Sequence, residues 1–141
     1  MELLTVLAAD YANVAQGAKI NVMGIFRTIY ATNFPTRHPS MFLVVKFGAD
    51  IGEFGDDRIL VIKLRSPDGQ EIMRYEQPMK IPLPQGGQRP EMNFLLQIND
   101  IVFPSPGRYQ FSIHVDKDFK GDLALDVVQL VMQQKEEKQE K

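Results

Sequence analysis

Two histidines, four serines and a scatter of aspartates are the first residues to weigh for chemistry in this 141-residue chain, which has no cysteine at all. Thiolate nucleophiles, disulfides and cysteine-based zinc sites are therefore excluded by inventory. His114 falls on the polar parity of a strand, an exposed surface position, while His38 lies between Arg37 and Pro39 in a stretch that reads as a loop, where it would cap the following strand. A Ser-His-Asp triad needs one of them beside a serine on a strained turn. None of Ser40, Ser66, Ser105 or Ser112 has that context, so no catalytic residue is assigned and the chain reads as a non-enzyme.

Asp116-Lys117-Asp118-Phe119-Lys120-Gly121 begins like a calcium loop, but Lys120 takes a ligand position and Val127 stands where a bidentate Glu is needed. A hairpin turn built on Asp and Gly explains it better. Gly86-Gly87 could offer backbone amides to an anion, yet no helix follows to add its dipole, so the pair reads as a flexible loop. If consecutive strands alternate in direction, the loops near 10–18, 49–57, 77–90 and 116–121 share one end of the molecule. That end would gather Asp10, Asp56, Asp57, Asp116 and Asp118, hard oxygen ligands for a possible cation site, whereas Arg37, His38 and Arg108 would share the other. No cofactor is expected.

The elements that must position these groups are written in two-residue alternation. Met92, Phe94, Leu96 and Ile98 point one way and Glu91, Asn93, Gln97 and Asn99 the other; Tyr109, Phe111, Ile113 and Val115 repeat the scheme, as do Leu60, Ile62 and Leu64. Residues 3–10, 19–31, 41–48 and 122–131 also read as extended, with 41–48 apolar on both faces apart from Lys46, as in a central strand. Apolar parity changes at Gly24, where a bulge is expected. Ser66-Pro67-Asp68-Gly69 closes a hairpin from 58–65 to 70–76, because Pro presets φ and Gly accepts the positive φ that follows. Pro78, Pro82 and Pro84 make 77–90 an edge-like connection.

About eight strands and no helix predict an all-β, antiparallel two-sheet sandwich over residues 1–132, followed by a charged, disordered tail over 133–141. Ser105-Pro106-Gly107-Arg108-Tyr109-Gln110-Phe111 looks like the tyrosine corner of immunoglobulin-like domains, with Phe111 where antibody domains carry cysteine. From about Thr5 to Val131 the sequence also resembles a family of small bacterial proteins of unknown function. The likeness is carried by Ala9-Asp10-Tyr11-Ala12-Asn13-Val14, Lys19-Ile20-Asn21-Val22-Met23-Gly24-Ile25-Phe26, Phe34-Pro35 with His38-Pro39, and Phe103 to Tyr109. It implies a bacterial all-β domain and brings no activity with it.

A net charge of −2 with scattered Lys and Arg offers nucleic acid no attraction. No run approaches the roughly 20 apolar residues that cross a bilayer, and the start, Met1-Glu2-Leu3-Leu4, carries an acid where a secretory signal needs positive charge. A cytoplasmic protein is expected. Ile59 and Val61 alternate opposite to Leu60 and Ile62, and Leu95 faces away from Met92 and Phe94, so these three are candidates for an exposed interface. The function expected is binding or assembly with a protein partner or with copies of itself. The alternative is a metal-dependent or small-molecule enzyme, or a calcium-binding module, using the acidic end.

Overall fold

The computed structural model describes residues 1–131; the expected tail over 133–141 lies outside them. Nine strands follow in order: β1 (Glu2–Ala15), β2 (Lys19–Phe26), β3 (Thr28–Ala31), β4 (Thr36–Gly48), β5 (Asp57–Arg65), β6 (Glu71–Lys80), β7 (Glu91–Phe103), β8 (Gly107–Val115) and β9 (Asp118–Gln129), with a single 3-10 turn at Ile51–Glu53. They form a four-stranded sheet, β2-β1-β4-β7, and a five-stranded sheet, β3-β9-β8-β5-β6. No helix among the described residues is long and apolar enough to cross a membrane.

The core lies between the sheets and contains no buried polar residue among those described. Met41, Leu43, Val45 and Phe47 of β4 face Leu60, Ile62 and Leu64 of β5 and Phe111 and Ile113 of β8 in one apolar cluster. Phe103 and Tyr109 pack edge to face at 4.9 Å, and burying each ring contributes roughly 2–3 kcal/mol. The tyrosine corner is present: Tyr109 donates its hydroxyl proton to the Ser105 carbonyl at 2.7 Å and accepts from the Ser105 N–H at 3.3 Å.

Two sequence expectations are corrected. Residues 19–31 are two strands, because the chain turns at Arg27 and crosses from the first sheet to the second, where β3 pairs in parallel with β9. Gly24 is no bulge: β1 and β2 keep one register on both sides of it, and its positive φ of 71° sits within an unbroken pairing. The loop expected around His38 is shorter too, since β4 begins at Thr36 and carries His38 opposite Ile101 of β7. Inward parity shifts in both strands at one level, from Met41 and Ile98 to His38 and Ile101. Pro39 stands there opposite Asp100, whose φ is +57°. Both strands bend together, so the pairing survives.

Because β2 and β3 form a V, the turns at 16–18 and 32–35 share an end, and the assumed alternation of loops fails. Met1 and the loops 49–56, 81–90 and 116–117 occupy the opposite end.

Candidate functional site

Register dictates which side chains leave the core on the four-stranded sheet. The pairs Leu7–Val44–Leu95, Ala9–Phe42–Gln97, Ile25–Ala9 and Met23–Tyr11 form continuous rows across β2, β1, β4 and β7, all on the face away from the second sheet. Nothing among the described residues covers this face. Met23 is 66% exposed, Ile25 61% and Tyr11 47%, whereas Val44 and Ala9 are buried beneath their neighbours. Tyr11 rests edge-on against Phe42 at 5.4 Å, which fixes the centre of the patch.

The rim of the face is polar and nearly neutral. Lys46 pairs with Glu91 at 3.1 Å, and Asn13, Asn21, Asn93 and Gln97 supply uncharged amides. At the lower end Arg89 lies over Gly48. Its Nε donates to the Ala49 carbonyl at 2.9 Å, and its terminal nitrogens reach Glu2 at 2.9 Å, Asp50 at 3.2 Å and the Gly48 carbonyl at 3.3 Å. A Cβ at position 48 would stand 2.7 Å from the Arg89 guanidinium carbon, so glycine is required for this clamp.

The free edges are poor templates for added strands. β2 carries Gly24 at positive φ, β7 bends at Asp100, β6 contains Pro78 without an N–H, and β3 has only four residues.

The profile of a family of unknown function matches residues 4–128, a span that takes in strands of both sheets. The chain belongs to that family, DUF6941. No curated protein matches this DUF6941 member. The face just described therefore has to be read from its own chemistry.

Of the interface residues expected from sequence, only Leu95 lies on this face of the DUF6941 chain, half-buried beside Val44. Ile59, 44% exposed, and Val61, 7% exposed, lie on the outer face of the other sheet, where Val61 is enclosed between its neighbours Glu76 and His114. Tyr11, Met23, Ile25, Phe42 and Val44 were missed. The signal available was the two-sided apolar run 41–48, since a strand of a two-layer sandwich can bury only one face against the other sheet.

The expected cation ligands are not gathered. Asp10 is in β1, roughly 25–30 Å along the strand from Met1 at 3.3 Å per residue, at the level of Gly24 and His38. At the acidic end each carboxylate except that of Asp118 is engaged by the protein. Arg58 reaches Asp56 at 2.9 Å, Asp116 at 3.6 Å and Glu53 at 3.9 Å, and Lys80 reaches Asp57 at 3.3 Å. Asp116 also accepts the Ile59 N–H at 2.9 Å. The Met1 ammonium contacts Asp50 at 2.8 Å and Glu53 at 2.5 Å, and its hydrogen bond holds the Asp50 carboxyl below its ordinary range. No group of three or more metal-ligating side chains occurs among the described residues.

The histidines differ from expectation as well. His114 is half-buried, edge-on to Phe119 at 5.5 Å, and burial, followed by the charges of Lys63, Arg65 and Arg74, lowers its pKa. His38 lies half-buried within β4 rather than in a loop before it; burial lowers its pKa against the opposing pull of Asp10.

Proposed function

We propose that this protein is a self-associating module whose copies pair through the outer face of the four-stranded sheet. The observation that carries the reading is the continuous apolar surface of Met23, Ile25, Tyr11 and Phe42, with two of these side chains more than 60% exposed. Four strands at about 4.8 Å and about eight residues at 3.3 Å give a footprint of roughly 500 Å² before side-chain relief is counted, approaching the ~800 Å² per partner of a stable interface. An identical copy suits it because the carboxylates at its rim, Glu2 and Glu91, are already neutralised by Arg89 and Lys46, which leaves Lys19 at the β1–β2 turn as the unpaired charge two such faces bring together.

Sedimentation velocity over a wide concentration series tests this. The wild type should pass reversibly from monomer to dimer, and Met23→Lys, a change at an exposed position, should weaken the dimer at least tenfold, as expected for loss of an interface anchor worth ~1.4 kcal/mol or more. A wild type that stays monomeric at the highest concentration would remove the proposal, and so would a dimer indifferent to the substitution.

A further inference from the structure

Where the chain crosses between sheets, a recess of about 280 Å³ opens, lined by Asp10, Phe26, Thr28, Ile29, Tyr30 and His38. It lies on the inward side of β1 and β2, opposite in parity to Tyr11 and Met23, so it is separate from the apolar face. We propose that this recess binds an organic cation, a guanidinium or primary ammonium group, through the Asp10 carboxylate and the ring of Phe26.

Three observations carry it. First, Asp10 and Asp118 are the only acids among the described residues that make neither an ion pair nor a side-chain hydrogen bond; the others are engaged by arginine, lysine, the Met1 ammonium or a polar side chain. Asp118 does not line this recess, whereas Asp10 does. Second, the backbone makes room for this carboxylate. Gly24 stands opposite it at φ 71°, and a Cβ there would lie 2.9 Å from the Asp10 Cγ, so only glycine lets the side chain lie against β2. Third, the remaining lining brings no lysine or arginine to compete for the carboxylate. His38 leaves Nε2 without a partner, Thr28 adds a hydroxyl, and Phe26, 5.9 Å from His38, supplies an aromatic wall of the kind that attracts a cation within about 6 Å. An anion would meet the carboxylate's charge. A neutral apolar group would leave it unanswered.

Titration of the full chain, followed by amide NMR, with N-acetylarginine amide, butylammonium and acetate tests the assignment. The two cations should move the resonances of Asp10, Gly24, Phe26 and His38 along saturable curves, and the stronger of the two identifies the head group. Acetate should not. Asp10→Asn, which keeps the shape of an exposed side chain, should weaken the shifts at least tenfold, and Asp118→Asn should leave them unchanged. Shifts that never saturate, that spread over the acidic end, or that persist in a folded Asp10→Asn chain would overturn the site.

Discussion

Tyr109 is completely buried, and its hydroxyl has one protein partner residue, Ser105, which it contacts through both backbone groups. Tyr109→Phe leaves the Ser105 carbonyl and N–H without that partner, and a lost buried hydrogen bond of this kind costs about 1–3 kcal/mol. Urea unfolding should show a lower midpoint with an unchanged slope. The histidines give a second residue-level expectation. Burial favours the neutral imidazole at both His38 and His114, so the folded pKa lies below the unfolded value of about 6.5. Their contribution to stability is therefore complete above that pH and is lost as pH falls through the folded values, because the unfolded chain takes up protons first. The melting temperature should fall as pH drops below about 6.5, and His38→Gln with His114→Gln should flatten that part of the profile. A wild-type curve that rises on acidification in this window would contradict the assigned burial.

The strands were legible in the sequence wherever one face is polar. Tyr109 to Val115 and Met92 to Ile98 face the core at alternate positions because their partners leave no other register. Legibility failed at Gly24 and Arg27. A parity change there looks like a bulge, yet it arises because Ile20 and Val22 face inward on β2, Met23 and Ile25 face outward on the same strand, and Ile29 belongs to another sheet. Only pairing to β9, nearly a hundred residues away, distinguishes the two. The loop 81–90 is held by contacts that sequence cannot show, chiefly Arg89 lying over Gly48. Arg89→Ala should speed amide exchange across 82–90 while exchange in β8 stays slow, and Gly48→Ala, whose Cβ displaces the guanidinium, should produce the same pattern with a comparable loss of stability. Uniform acceleration in both variants would show that the loop opens only with global unfolding.

At the scale of the whole molecule, the two outer faces differ in arrangement. The five-stranded sheet turns out Lys63, Arg74 and Glu76 around an enclosed Val61 and divides its exposed apolar side chains between Ile59 with Phe119 and Tyr30 with Val128, whereas the four-stranded sheet gathers Met23, Ile25 and Tyr11 in adjoining rows. Sequence parity put Leu95 off the core face, where it lies, and read the two-sided apolar strand, but grouped Ile59 and Val61 with it because parity cannot tell which sheet a strand joins. A concentration series of methyl NMR spectra distinguishes the faces. The Met23 and Ile25 methyl resonances should move together with one dissociation constant while those of Ile51 and Ile59 stay fixed; if instead Met23 and Ile25 hold still at every concentration, or Ile59 moves in their place, the four-stranded face is not where copies of this protein meet.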